Sequence, residues 1–148
     1  MSSSIWRVVD ANANRAREGL RVCEDLVRFC LNSDADFRRL RALRYALTRQ
    51  LQQLPVGATE LARSRDSVGD VGRRSRPSAV QSVEHLLLIN LQRAKEALRV
   101  LEDCCRLAAP TQTAGFQALR FRAYDLERAL LIRLATVRHR RPRRGRRP

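Results

Sequence analysis

Apolar residues recur every three or four positions in four stretches of this chain. In the first stretch they form a stripe of Ile5, Val9, Ala13, Ala16, Leu20, Cys23, Val27 and Cys30. This period places the apolar residues on one face of an α-helix. The pattern predicts four helices, at about residues 4–31, 34–54, 79–108 and 112–138. The short links after the first and third helices predict two antiparallel hairpins.

The two predicted hairpins resemble each other in sequence. With an offset of 78, residues 12–29 and 90–107 share ten identities: Asn12/Asn90, Arg15/Arg93, Ala16/Ala94, Glu18/Glu96, Leu20/Leu98, Arg21/Arg99, Val22/Val100, Glu24/Glu102, Asp25/Asp103 and Arg28/Arg106. The second helices match with an offset of 79, as in Phe37/Phe116, Arg41/Arg120 and Tyr45/Tyr124. We interpret the chain as a tandem duplication of a helical hairpin that forms an all-α, pseudo-twofold four-helix bundle.

This interpretation gives one helical domain at residues 1–137. The repeats occupy residues 5–54 and 78–137, and a linker occupies residues 55–77. A linker of this length is unusual in a helical bundle, and long ordered loops are often functional.

Positive charge is concentrated at the C-terminus. The formal net charge is +15, and residues 138–148 contain seven arginines and no acidic residue. This tail has no apolar side chain to bury, so we predict that it is disordered. Coulomb attraction would allow it only weak contact with nucleic acid.

The location predicted from the sequence is the cytoplasm. No uncharged apolar stretch approaches the ~18 residues that a membrane span needs, and the N-terminus lacks the pattern of a secretory signal. Cys23, Cys30, Cys104 and Cys105 lie within helical patterns, which favours free thiols in a reducing compartment.

Polar residues flank the buried stripe at equivalent places in both repeats. Asparagine is a poor helix former, yet Asn12 and Asn90 lie beside the predicted core. Their amides could hydrogen-bond a ligand or cross-link helices. Arg15 and Arg93 lie one turn further along, where they could bind anionic oxygens bidentately.

Other identical residues have structural explanations. Arg21, Glu24 and Arg28 have the spacing of ion pairs along a helix surface. Val22 and Val100 lie off the main apolar stripe, which indicates a second buried surface and predicts a homodimer.

The linker contains a second candidate site. Gly69 and Gly72 permit close approach of the backbone to a ligand, and Asp66 and Asp70 could hold Mg²⁺ through carboxylate oxygens. Arg65 could contact phosphates. The P-loop pattern GxxxxGK[ST] is absent, and by spacing alone such a segment is most often a turn.

Three segments in this order resemble the ThiD2 domain of thiamine biosynthesis: DANANRAREGLRVCEDLVRF (10–29), RDSVGDVG (65–72) and NLQRAKEALRVLE (90–102). That helical domain precedes a thiamine-phosphate synthase barrel in some bacterial fusion proteins. The resemblance extends to about residue 137. It implies an ATP-dependent kinase that converts 4-amino-5-hydroxymethyl-2-methylpyrimidine phosphate to the pyrophosphate. The chain itself is too short to contain the (β/α)₈ barrel.

The resemblance brings no catalytic residues with it, so the chemistry of phosphoryl transfer assigns the roles. The expected groups are Asp66 and Asp70 for Mg²⁺; Arg65, Gly69 and Gly72 for ATP; Arg15, Arg93, Lys95, Glu24 and Glu102 for catalysis; and Asn12 and Asn90 for the phosphorylated pyrimidine. This assignment expects the linker motif to lie over a groove shared by the two hairpins.

Three other functions stay open at this point. Small helical enzymes of the chorismate-mutase type bind anions with similar residues and need neither ATP nor Mg²⁺. A basic nucleic-acid-binding module would explain the tail. A non-catalytic module associated with thiamine-phosphate synthase would explain the resemblance.

Overall fold

The computed structural model describes residues 2–140, and all regular secondary structure within them is helical. The elements are α1 (Ser2–Phe29), α2 (Asp34–Leu51), α3 (Ala58–Ser64), α4 (Val83–Ala108) and α5 (Thr113–Arg140). A short 3₁₀ helix, Pro110–Gln112, precedes α5. The all-α prediction is confirmed.

Serine side chains begin two of the long helices. Ser33 accepts a hydrogen bond from the backbone N–H of Asp36 at 3.5 Å, and Ser82 accepts one from His85 at 3.0 Å. Such caps satisfy N–H groups that have no partner within the helix. Because Ser82 provides the cap of α4, this helix begins four residues later than the predicted position 79.

The core forms where α1 and α4 cross. The α1 stripe Val9, Ala13, Ala16, Leu20, Cys23 and Val27 is buried, as are Leu87, Leu91, Ala94, Leu98, Leu101 and Cys105 on α4. A Cβ on Gly19 would meet the backbone of Asn90, and the thiol of Cys23 donates to the carbonyl of Leu87 at 3.6 Å. The later residue on α1, Cys23, thus contacts the earlier residue on α4, Leu87, so the two helices run antiparallel.

The four long helices form a closed ring of contacts. Helix α2 packs against α1, α5 packs against α4, and α2 also contacts α5. Each long helix thus has two long neighbours, as in a four-helix bundle. The outer surface between α1 and α4 stays uncovered by any described element.

Two predictions concern the irregular parts of the chain. The linker predicted at residues 55–77 contains α3, which packs against α1. The tail predicted at residues 138–148 overlaps α5, which continues to Arg140, and residues 141–148 lie outside the described residues. Within the described part of the chain, no helix combines the length and apolar character needed to cross a membrane.

Candidate functional site

A cavity of about 650 Å³ lies on the open surface between α1 and α4. We call it the α1–α4 groove. It is lined by Asn12, Arg15, Glu18, Gly19 and Val22 from α1 and by Asn90, Arg93, Glu96, Ala97 and Val100 from α4. These residues form five pairs, each separated by the same 78 positions. The groove is therefore made of equivalent positions from the two repeats.

The two asparagines sit at the buried edge of the groove. Each is 5% exposed. The amide nitrogen of Asn12 donates to the carbonyl of Val8 at 2.9 Å, and that of Asn90 donates to the carbonyl of Leu86 at 2.9 Å. These bonds stay within one helix, so the asparagines do not cross-link α1 to α4. Each amide oxygen is left as the acceptor that a ligand in the groove could use.

Four charged side chains surround the asparagines. Arg15 and Arg93 are exposed, and neither forms an ion pair or hydrogen bond with any residue in the described part of the chain. Glu18 is likewise exposed and unpaired among residues 2–140, whereas Glu96 accepts a hydrogen bond from Gln92 at 2.8 Å. The groove carries two positive and two negative charges, so both donors and acceptors are available to a ligand.

A glycine allows α1 and α4 to approach closely beneath the groove. A Cβ on Gly19 would lie 2.8 Å from the backbone oxygen of Asn90 and 3.5 Å from the nitrogen of Ala94. The first distance is shorter than a carbon–oxygen contact can be without displacing the backbone. The equivalent residue on α4 is Ala97, which is 2% exposed.

The predicted catalytic residues Glu24 and Glu102 lie elsewhere, in ion pairs between neighbouring helices. Arg44 on α2 binds both oxygens of Glu24, with an Nη2–Oε2 distance of 3.1 Å. Arg120 on α5 binds Glu102 at 2.6 and 3.3 Å. The hydrogen bonds to these carboxylates raise the pKa of both arginines above the usual value. The two glutamates therefore hold the bundle together and do not face the groove.

Lys95 also joins two helices. Its Nζ lies 2.6 Å from Oε2 of Glu127 on α5 and 5.2 Å from the centre of the Tyr124 ring. The side chain is 11% exposed. The ion pair and the cation–π contact both direct it toward α5. It is therefore separated from Arg93, although the sequence assignment placed both in one catalytic centre.

The linker motif is attached to the opposite side of α1. Arg65 binds Asp10 with bonds of 2.7 and 2.8 Å, and Arg7 donates to the backbone oxygen of Asp66 at 2.8 Å. Asp10 precedes Asn12 by two residues, which on a helix is a rotation of about 200°. The expectation that this motif lies over the shared groove is wrong, because the buried carboxylate of Asp10 holds it on the other side.

The linker aspartates and glycines form local turns. Asp66 Oδ1 accepts a hydrogen bond from the backbone N–H of Gly69 at 2.8 Å, and Asp70 Oδ1 accepts one from Gly72 at 2.8 Å. Among residues 2–140, no group of three or more His, Cys, Asp or Glu side chains is placed to hold a metal ion. Neither ATP nor Mg²⁺ gains support from this arrangement, and both stay predictions.

Sequence reasoning missed part of the groove. Glu18 and Glu96 received no role, and Val22 and Val100 were assigned to a dimer surface and not to a groove that contains the asparagines. A signal was present, because Glu18, like Arg15 and Val22, recurs at the common offset of 78 residues. Recurrence alone did not separate these positions from Glu24, which recurs equally and forms a buried ion pair.

Comparison with known proteins links this chain to thiamine biosynthesis. Residues 7–129 match the model of the ThiD2 family. A thiamine-phosphate synthase from Synechocystis is 39% identical over 132 residues, which cover 87% of this chain and 37% of the relative. The thiamine-phosphate synthase from Nostoc sp. is 40% identical over 86% of this chain and 35% of the relative. The one from Rhodopirellula baltica is 33% identical over 90% of this chain and 36% of the relative.

The chain thus spans little more than a third of the length of the curated relatives it matches. No solved structure matches it. The predicted link to thiamine biosynthesis is confirmed. The predicted activity, an ATP-dependent hydroxymethylpyrimidine phosphate kinase, is wrong, because these relatives are named for thiamine-phosphate synthase, a transferase that is not an ATP-dependent kinase.

Proposed function

This chain belongs to the ThiD2 family, and from that premise we propose that it is a helical module that associates with thiamine-phosphate synthase. The observation that carries the proposal is the partial overlap with the relatives. Proteins named thiamine-phosphate synthase contain a region similar to almost the whole of this chain, and about two thirds of their length lies beyond it. A region that is covalently joined to a synthase in one protein is a natural partner of the separate enzyme in another.

The α1–α4 groove is the proposed ligand site of this module. A small molecule with a hydrogen-bond donor and an anionic group fits it best, because the amide oxygens of Asn12 and Asn90 accept hydrogen bonds and Arg15 and Arg93 have no intramolecular partner. An aminopyrimidine phosphate has both features. We propose that the module binds the phosphorylated pyrimidine of thiamine biosynthesis in the α1–α4 groove.

The same surface supports a homodimer. The groove carries two arginines and two glutamates, so its charge is balanced on a chain of net charge +15. A surface without net charge lets two copies approach around a twofold axis without electrostatic repulsion, and Arg15 and Arg93 stay available to the ligand. Val22 and Val100 are only partly buried in the single chain and would be covered in such a dimer. We propose that the module works in the cytoplasm, where its thiols would stay reduced.

A binding experiment with two purified proteins tests the proposed association. The full chain is mixed with the thiamine-phosphate synthase of the same organism, and complex formation is measured by analytical ultracentrifugation at two salt concentrations. We expect a stoichiometric complex that persists at the higher salt. The salt comparison is needed because a protein of charge +15 attracts acidic proteins non-specifically.

Two results would contradict the proposed association. One is the absence of a complex at either salt concentration. The other is a complex that disappears at high salt and forms equally well with an unrelated acidic protein, since this would reflect net charge alone.

A further inference from the structure

The two repeats neutralise their buried glutamates with arginines from different positions. In the second repeat, Arg120 binds both oxygens of Glu102. The equivalent residue in the first repeat is Arg41, yet Glu24 is bound by Arg44. Arg41 instead donates to the hydroxyl of a neighbouring tyrosine at 3.2 Å and forms no ion pair within residues 2–140. Because Arg44 occupies the carboxylate, Arg41 keeps its charge uncompensated.

A second arginine is unpaired in the first repeat alone. Arg106 on α4 lies 3.4 Å from Asp103. Its equivalent on α1 is Arg28, which has no acidic partner in the described part of the chain. Among the described residues Asp25 pairs with Arg21 alone, at 3.3 Å, whereas Asp103 pairs with both Arg99 and Arg106. At these two positions the guanidinium groups therefore lack a described acidic partner in the first repeat and have one in the second.

These two arginines lie over one aromatic ring. The guanidinium carbon of Arg28 is 5.4 Å from the centre of the Phe37 ring, and that of Arg41 is 5.9 Å from it. Cation–π attraction helps to hold both groups in place. Two like charges held near one ring repel each other, and an anion between them would remove this repulsion.

The arginines face a cleft of about 400 Å³ where α1 meets the start of α2. The cleft is lined by Arg28, Asn32, Ser33, Asp34, Phe37 and Arg41. The one carboxylate in this lining, Asp34, is already bound by Arg38, with distances of 3.1 and 3.0 Å. The cleft therefore presents two uncompensated positive charges.

We propose that this cleft is a binding site for the phosphate or diphosphate group of a small molecule, held between Arg28 and Arg41. Guanidinium groups match the geometry of phosphate oxygens and bind them bidentately. The site is separate from the α1–α4 groove and does not depend on association with the synthase. It exists in the first repeat only, because Arg44 binds Glu24 there and leaves Arg41 free, whereas Arg120 binds Glu102 in the second repeat.

The test uses the full chain and inorganic pyrophosphate, with inorganic phosphate as a second probe. Titrations at moderate ionic strength, followed by amide chemical shifts in NMR spectra, give both affinity and location. We expect saturable shifts at Asn32 and Phe37. Arg28→Ala and Arg41→Ala should each weaken pyrophosphate binding about tenfold or more, since each removes a charge-assisted pair.

Arg106→Ala is the matched control, because it removes the equivalent arginine of the second repeat and should leave the pyrophosphate affinity unchanged. Equal weakening by Arg28→Ala and Arg106→Ala would overturn the proposal, since it would reflect net charge. Chemical-shift changes confined to residues 138–148 would also overturn the proposal. Binding of a single-stranded RNA at the cleft without any binding of pyrophosphate would overturn it as well.

A third variant tests the exchange itself. Arg44→Ala recreates the pattern of the second repeat, where Ala123 occupies the equivalent position. Arg41 should then turn to Glu24, as Arg120 does to Glu102, and pyrophosphate binding should weaken as in Arg41→Ala. Circular dichroism checks that the variant stays folded. Unchanged binding in a folded Arg44→Ala variant would overturn the proposed origin of the site.

Discussion

The two sides of α1 and α4 carry equally repeated polar residues, yet they differ in what these residues contact. On one side, Glu24 and Glu102 are buried and bound by arginines from α2 and α5. On the other side, Arg15 and Arg93 are exposed and without an intramolecular partner among the described residues. Recurrence in both repeats therefore does not separate structural residues from candidate ligand-binding residues. The presence or absence of a partner on another helix does.

The largest effect should come from breaking a buried ion pair. Glu102→Ala would leave Arg120, which is 8% exposed, without its carboxylate. Removing one partner of a buried pair costs about 3–5 kcal/mol, because the other charge stays desolvated. Urea unfolding of the purified variant measures the loss.

Glu18→Ala is the control for this experiment, since Glu18 lies on the groove side, is exposed and has no described partner. Its free energy of unfolding should change by less than about 0.5 kcal/mol. A similar effect of the two substitutions would contradict the division of the helices into a paired and an unpaired side.

The next effect concerns the close approach of α1 and α4 beneath the groove. Gly19→Ala places a methyl group 2.8 Å from the backbone oxygen of Asn90, which cannot rotate away. The helices must separate, and we expect a loss of about 1–3 kcal/mol in the free energy of unfolding. Gly57→Ala, at the N-cap of α3, is a control for an added methyl group without a clash, because nothing lies within 4 Å of its new Cβ. Equal stability of the two variants in urea would show that the close contact between Gly19 and the backbone of Asn90 does not affect the free energy of unfolding.

A smaller effect should appear in ligand binding. The double variant Arg15→Ala/Arg93→Ala should bind the aminopyrimidine phosphate at least about tenfold more weakly, as expected for lost charge-assisted hydrogen bonds. Its stability should be nearly unchanged, because neither side chain has a described partner. Isothermal titration calorimetry measures the affinity.

Arg21→Ala/Arg99→Ala removes the same charge from equivalent, exposed positions outside the groove, where the arginines pair with Asp25 and Asp103. Affinity should therefore be retained in this control. If both double variants lose affinity to the same extent, the groove is not the ligand site.

The smallest effect concerns thiol reactivity. Burial raises the pKa of Cys23 to about 12 and that of Cys105 to about 11, and it also raises the pKa of Cys104. Fewer thiolates then form at pH 8, so these cysteines should react slowly. Cys30 is exposed. Labelling with a disulfide reagent should therefore modify one thiol quickly and three more only after unfolding. Rapid labelling of a second thiol would mean that the core between α1 and α4 opens readily.

The bundle could largely be predicted from the pattern of apolar residues. The stripes on α1 and α4 are buried as expected along most of their length, but Cys30 at the end of the α1 stripe is exposed and Ile5 is only partly buried. Each long helix lies within a few residues of its predicted position. The start of α4 was predicted four residues too early, because the helix is capped by Ser82. The pairing of Asn12 with Arg15 in one groove was also expected. The separation of Glu24 and Lys95 from that groove was not, since both recur or lie beside recurring residues.

Local periodicity and the repeated motif thus determine the helices, the buried faces and the residues that occupy equivalent places, because each depends on neighbours within a few turns. The role of each polar position depends on distant residues. Asp10 holds Arg65, Arg44 holds Glu24, and Glu127 holds Lys95. These partners come from other elements, and no spacing along one helix specifies them. Only the packing of the helices closes one side of α1 and α4 and leaves the other open to a ligand.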